Sequence, residues 1–362
     1  MKIYILPTYP CESDMWDILS SERRPIVVYG MGNGADKLFC RLESYGITVA
    51  DVFASDGFVR GHSFRGYRVK SFSEIKENYS DFVILLSFAS NREEVINMLA
   101  EIDGSYDMYV PDMPVADESE YFDRDFYNKH YEEISKVYGM LADEKSKSIY
   151  AAVVNYKLSG KLSYLLDAYT EKSDMYSLLS SKEIKLMIDG GAYNGDTARE
   201  AIEHFKELSE IYAIEPDRKT FKRLLKYAEL SPVKITSINA ALYSEIGNGE
   251  FFSSGNRNST AAATASYENK AESLPFITVD SLELSPDYIK YDVEGAEYEA
   301  LLGSFETIER ARPLLLVSLY HRSRDIYSLP LLLNEKLTGY SFYLCRLRCV
   351  PAWELNLILI PT

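Results

Sequence analysis

The chain has 362 residues, 46% of them hydrophobic, with a formal net charge of −16 and a pI near 4.9. That length accommodates two domains or more, and the acidity argues against nucleic acid or an anionic membrane surface as the main partner, since both require a positive footprint. No apolar run reaches the roughly 18 residues of a membrane span, and the start, Met1-Lys-Ile-Tyr-Ile-Leu-Pro-Thr-Tyr-Pro10, lacks the apolar core and small-residue cleavage site of a signal peptide. The four cysteines, Cys11, Cys40, Cys345 and Cys349, do not form a metal-spaced pair of pairs. Reduced packing roles and a cytoplasmic location are expected.

In chain order, residues 1–114 read as a small Rossmann-like α/β unit. Pro25–Tyr29 is a short buried-strand pattern, and the turn Gly30-Met-Gly-Asn-Gly-Ala35 precedes a helix pattern over Asp36–Tyr45. Strand patterns follow at Ile47–Phe53, Asp81–Ser87 and Met108–Val110, with a helix at Arg92–Ile102. Such alternation predicts a parallel sheet. The turn has the GxGxxA form, with Asp51 and Asp56 about 20 residues on. Gly30, Gly32, Asp56 and Arg60 are the candidate residues of a nucleoside site, Arg60 as an anion contact. The competing reading is a degenerate unit used for packing or dimerisation.

Residues 115–180 change character: charge and tyrosine dominate, and Ile134, Val137, Tyr138 and Leu141 recur at helical spacing. Several helices are expected, as a connector or cap, with a packed spacer and a wall of the acceptor site as the competing readings.

Residues 181–362 read as a second α/β unit. The predicted strands are Ile184–Ile188, Ile211–Glu215, Val233–Ile238, Tyr288–Asp292, Leu314–Leu319, Tyr340–Cys345 and Leu355–Ile360. The predicted helices are Thr197–Leu208, Lys219–Ala228, Ala296–Leu302 and Ile326–Lys336. The pattern fits a doubly wound sheet with a late antiparallel hairpin. Residues 246–277 interrupt it with Gly-Asn-Gly, Ser-Ser-Gly and an Ala/Thr/Ser run, predicting a mobile loop with one hairpin.

The most informative segment is Met187-Ile-Asp-Gly-Gly-Ala-Tyr-Asn-Gly-Asp-Thr197, followed by Ile211-Tyr-Ala-Ile-Glu215. Strand, glycine turn, helix, strand and acidic tip form the layout of a nucleoside-binding βαβ unit. A dinucleotide would place its pyrophosphate at the helix N-terminus, where Asp189 and Asp196 would repel it. The two acids suit instead a ligand with an ammonium and a sulfonium, and Tyr193 offers a π face to the latter. Asp196 also serves simply as a first-turn acid.

The segment Ile289-Lys-Tyr-Asp-Val-Glu-Gly-Ala-Glu297, taken with Asp189-Gly-Gly-Ala-Tyr-Asn-Gly-Asp196 and Glu215, resembles the FkbM family of S-adenosylmethionine-dependent methyltransferases. The resemblance covers residues 181–362. It implies a class I methyltransferase fold and methyl transfer to a hydroxyl, commonly on a sugar or natural product. It also implies cofactor contacts at Asp189, Gly190, Gly191, Tyr193, Gly195, Asp196, Glu215 and Asn239. Many members carry a carboxylate soon after the fifth strand, whereas Val317-Ser-Leu-Tyr-His-Arg322 has none before Asp325.

Asp292, Glu294 and His321 are the candidate catalytic residues. His321 is the preferred base, because its unperturbed pKa lies nearest neutrality, and Asp292 the next choice. Asp292, Glu294, Glu297 and His321 have the donors to hold Mg²⁺ or Mn²⁺. Glu294 and Glu297 equally serve as acids of the following helix, and no metal is assigned. The expected protein is therefore a two-part O-methyltransferase with S-adenosylmethionine as cofactor and a sugar, nucleotide sugar or glycan as acceptor, its self-association left open. An NAD-dependent nucleotide-sugar oxidoreductase or epimerase, or a non-catalytic nucleoside-binding scaffold, are the alternatives. The former is weakened because Tyr67-Arg-Val-Lys-Ser71 lacks the Tyr-x-x-x-Lys spacing.

Overall fold

The computed structural model describes residues 2–59, 61–116, 120–252 and 271–362. Two parallel-dominated sheets are joined by a helical segment. The first sheet contains β1 (Ile26–Tyr29), β2 (Asp51–Ala54), β3 (Lys70–Ser71), β4 (Val83–Leu86) and β5 (Asp107–Tyr109), in the order β3-β2-β1-β4-β5. Every neighbouring pair is parallel. The apolar run of β4 is buried throughout, as expected for a strand covered on both faces. The strand predicted from Ile47 starts only at Asp51, where pairing with Val27 begins. The helix predicted from Asp36 starts at Asn33, directly after Gly32.

The second sheet contains β6 (Leu186–Gly190), β7 (Glu210–Ile214), β8 (Lys234–Ile238), β9 (Tyr288–Tyr291), β10 (Leu314–Ser318), β11 (Tyr340–Arg346) and β12 (Leu355–Pro361). Its order is β8-β7-β6-β9-β10-β12-β11. The first five strands run parallel, and β12 pairs antiparallel with both β10 and β11. The doubly wound sheet with a late hairpin is thus present. The strand order reverses between β6 and β9, which is where open α/β sheets leave a crevice at their carboxyl ends.

Three departures from the predicted elements have local causes. The helix expected over Thr197–Leu208 spans Asp196–His204: Phe205 turns extended (φ −102°, ψ 96°) and packs edge-on against Tyr176 and Tyr288 at 5.7 and 5.9 Å. A helix over Met15–Ser21, absent from the sequence reading, is nucleated by a capping box between Asp14 and Asp17. The interrupting segment contains a hairpin of Gly247–Phe252 with Ala271–Ile277. The loop expected between those strands falls on 253–270, outside the described residues.

The connecting segment carries five helices between Arg124 and Leu179, the longest over Glu144–Ser159. One apolar cluster runs from Tyr29 and Phe53 through Ile149 and Tyr156 to Tyr291 and Leu357, so both sheets and the helices share a core. Polar contacts fasten the same seam. Arg346 is fully buried and donates to Ala168 O at 2.8 Å, Cys349 O at 3.0 Å and Leu165 O. Ser90 and Val350 exchange backbone hydrogen bonds of 2.7 and 2.9 Å. A buried guanidinium needs this set of acceptors to offset its desolvation. Among the described residues, no helix is long and apolar enough to cross a membrane.

Candidate active site

A cavity of about 640 Å³ opens at the carboxyl ends of β6, β7, β9 and β10. All three parts of the chain contribute to its wall: Asn91 from the loop after β4 and Glu93 from the start of the next helix, Tyr169 and Tyr176 from the helical segment, and the glycine turn with its neighbours from the second sheet.

The glycine turn is shaped by close approach. Gly191 has φ +77°, and a Cβ there would lie 1.8 Å from Asp292 O. Only glycine lets the β6 and β9 ends come this close. Gly195 has φ +83°, and a Cβ would lie 2.5 Å from the Tyr227 ring. Tyr193 holds φ +47°, and its backbone N–H donates to Glu215 Oε2 at 2.8 Å.

Glu215, at the tip of β7, is 6% exposed and lines the cavity. Its Oε1 accepts from Asp217 N and Thr220 Oγ1, both at 2.8 Å. These bonds fix the carboxylate while leaving lone pairs for ligand hydroxyls. Burial pushes Glu215 up to about 7, against the opposing pull of those donors. Tyr193, Asp196 and Gly191 share the cavity wall with it.

Asp189 and Asn239 are placed differently from the sequence expectation. Asp189 is 0% exposed and lies off the cavity wall. In register it is the direct cross-strand neighbour of Lys290, whose Nζ lies 3.5 Å from Asp189 Oδ1 and 3.3 Å from Asp292 Oδ2. Burial pushes Asp189 up to about 6 despite that ammonium. Asn239 also lies off the cavity wall; its amide donates to Glu215 O at 2.8 Å and Pro216 O at 2.9 Å, bracing the β7 tip. Gly190 and Gly195 shape the backbone behind the wall rather than forming it.

Asp292 and Glu294 do line the cavity. Asp292 Oδ1 accepts from Ser318 Oγ at 2.9 Å and Tyr320 OH at 3.0 Å. Burial works against its charge, but Lys290 and His321, with those two donors, hold it well below the usual carboxylate range. Burial pushes Glu294 up to about 8. His321, the preferred base, is 0% exposed and stands behind these acids, off the cavity wall. Burial alone would lower its pKa, but Glu297, Glu294 and Asp292 push it up to about 10. An imidazole so placed neither reaches an acceptor nor stands ready to take its proton. Asp325 is also buried, accepting Arg322 N at 2.9 Å.

Several wall residues were not singled out from the sequence. Lys290 carried a signal, a lone charge inside an apolar strand run. Tyr169, Arg348 and Trp353 carried none, because they reach the site only through tertiary packing.

The first glycine turn is built unlike the second. A Cβ on Gly30 would lie 2.7 Å from Ser87 Oγ and 2.9 Å from the Phe88 ring, so protein occupies that face. Gly32 has φ +117° with open space beside it, directly before the Asn33–Ser44 helix. Asp51 is engaged by Lys70 Nζ and Tyr79 OH, both at 2.6 Å. Asp56 opens a short 3-10 turn and is exposed. Arg60 lies outside the described residues.

This sheet order, glycine turn and acidic tip define a class I methyltransferase fold. Residues 189–341 match the family model of the methyltransferase FkbM domain. The crystal structure of methyltransferase FkbM from Methylobacillus flagellatus is similar over nearly the whole molecule, with TM-score 0.69, 18% identity, and coverage of 98% of this chain and 94% of that one. A SAM-dependent methyltransferase from Aquifex aeolicus (TM-score 0.32, 12% identity, 52% of this chain and 89% of that one) also matches. So does an rRNA methylase from Streptococcus thermophilus (TM-score 0.32, 11% identity, 52% and 94%). No curated protein matches the chain.

Proposed function

We propose that the chain binds S-adenosylmethionine across the β6 and β7 tips and directs its methyl group to a hydroxyl of a sugar, nucleotide sugar or glycan. The observation that carries this reading is the continuity of one cavity from the glycine turn, past Asp292 and Glu294, to an aromatic wall of Tyr169, Tyr320 and Trp353. When bound, the cofactor supplies an electrophilic methyl carbon on a sulfonium. Glu215 accepts ribose hydroxyls, and an adjoining small slot of Ile214, Pro216, Ala240, Ala241 and Leu242 offers apolar surface to the adenine. Asp196 pairs with the ligand ammonium, and the Tyr193 ring faces the positive sulfur.

The residues serve the reaction mainly by positioning, since the methyl group arrives activated. Flat rings beside Asn91, Glu93 and Asn356 suit a polyhydroxylated acceptor: rings cover its C–H faces while amides and carboxylates take its hydroxyls. With the cofactor bound, its methyl carbon would pass from sulfur to the acceptor oxygen, and a carboxylate of the Asp292 and Glu294 pair would take the hydroxyl proton.

Calorimetry with S-adenosylhomocysteine tests the cofactor half. The wild-type chain should bind it, NAD should not bind, and Glu215→Ala should weaken binding by roughly 10- to 100-fold through loss of charged hydrogen bonds. Affinity for NAD, or an unchanged affinity in Glu215→Ala, would refute the placement.

A further inference from the structure

The His321 imidazole sits among carboxylates on both edges. Nδ1 lies 2.9 Å from Glu297 Oε1; on the opposite edge Nε2 lies 3.5 Å from Glu294 Oε2 and 3.6 Å from Asp292 Oδ1. The ring is 0% exposed and Nδ1 is paired with Glu297 Oε1, yet Nε2 makes no hydrogen bond, and Glu297 Oε2 makes none either. Buried polar atoms rarely go without partners, because each costs about 1–3 kcal/mol. One donor atom from each of Asp292, Glu297 and His321 falls within 4.8 Å of the other two.

The separations on the Nε2 edge are too long for direct N–H···O bonds. They approach the spacing of ligands around one small cation, where bonds of about 2.1 Å set neighbouring ligand atoms about 3 Å apart. We propose that His321 Nε2, Asp292 and Glu294 bind a divalent cation, with Glu297 orienting the ring through Nδ1. That is the carboxylate–histidine–metal relay found at many metal centres. Two carboxylates and an imidazole are hard enough to favour Mg²⁺ or Mn²⁺ over softer ions. Lys290 meets Asp292 through Oδ2, while Ser318 and Tyr320 steer Oδ1, so the oxygen facing His321 is held in place. Asp292 and Glu294 both border the cavity, so the cation's remaining positions open toward an acceptor oxygen.

The proposal extends beyond the methyl-transfer reading and is tested without it. Metal-stripped full-length chain is titrated with Mn²⁺ alone, and free Mn²⁺ is followed by its electron paramagnetic resonance signal. One ion per chain should bind and be displaced by Mg²⁺. Asp292→Asn and Glu294→Gln should each weaken binding more than tenfold, and Glu297→Gln by roughly tenfold. Glu294 is the mildest to alter, since its side chain retains 27% exposure. No stoichiometric binding to the wild-type chain up to about 1 mM Mn²⁺ would overturn the proposal, whether or not any variant folds. So would binding that both ligand substitutions leave intact.

Discussion

The two sheets of this molecule carry the same local device, a glycine turn between a buried strand and a helix, and build different things with it. At the second turn, Gly191 brings β6 against Asp292 O, and the space beyond is a cavity bordered by Glu215. At the first, Ser87 and Phe88 occupy the face of Gly30, and Asp51 is engaged by Lys70 and Tyr79. A glycine turn is therefore a backbone solution to a sharp strand-to-helix connection. It becomes a ligand site only where side chains leave room and polar capacity beyond it.

The largest test of this contrast is a pair of alanine substitutions. Gly191→Ala drives a Cβ into Asp292 O at a positive φ and should destabilise the fold by about 3–5 kcal/mol. Gly32→Ala meets no neighbour within 4 Å and should cost only the backbone strain, about 1–3 kcal/mol. S-adenosylhomocysteine affinity should survive the second change. Denaturant midpoints with calorimetry on the folded fraction measure both, and equal costs would show that close approach plays no part at Gly191.

The same contrast explains what could be read from sequence. The strands of the second sheet and the acid at Glu215 are local features, carried by apolar runs, turn residues and spacing, and the structure places them within a few residues of expectation. The roles of Asp189 and His321 depend on what stands opposite. Asp189 reads as a ligand contact until β9 is set beside β6 in register, which puts Lys290 across from it. His321 reads as a neutral base until Glu297 and Glu294 are folded against its two ring edges. The acceptor wall draws on Asn91, Tyr169, Tyr320 and Trp353, four segments far apart in the chain, and no local periodicity reports that convergence.

A second test uses the burial of the β7 tip acid, 6% exposed, against its exposed counterpart Asp56. The folded chain holds Glu215 up at about 7, against 4.5 for an ordinary glutamate. Between those values the folded state binds more protons than the unfolded state, so unfolding free energy falls as pH rises through the window. The Glu215 share amounts to about 2 kcal/mol between pH 5.5 and pH 8. Asp189, pushed up to about 6, adds a loss of the same sign over the lower part of the range. Urea unfolding at the two pH values should show this loss, and Glu215→Gln should remove its own share. Ribose hydroxyls donate best to an ionised carboxylate, so S-adenosylhomocysteine affinity should rise over the same interval. An affinity that falls with pH would place the ribose elsewhere.

The smallest expected effect tests where the first sheet contributes. The face of Gly30 in its glycine turn is occupied by Ser87 and Phe88, but Asn91 from the loop after β4 and Glu93 at the start of the next helix reach the cavity wall. Loops at strand carboxyl ends are where α/β units usually present ligand contacts, so the first unit acts through its β4 loop rather than its glycine turn. Loss of one neutral hydrogen bond is worth about 1 kcal/mol, or roughly a fivefold change. Asn91→Ala should therefore raise the acceptor KM about fivefold, with S-adenosylhomocysteine affinity and folding stability close to wild type. Gly32→Ala should leave that KM alone, since the first turn lies outside the cavity wall. Were Gly32→Ala to raise KM and Asn91→Ala to leave it unchanged, the glycine turn and the β4 loop would exchange roles, and the acceptor would extend into the first sheet's own crevice.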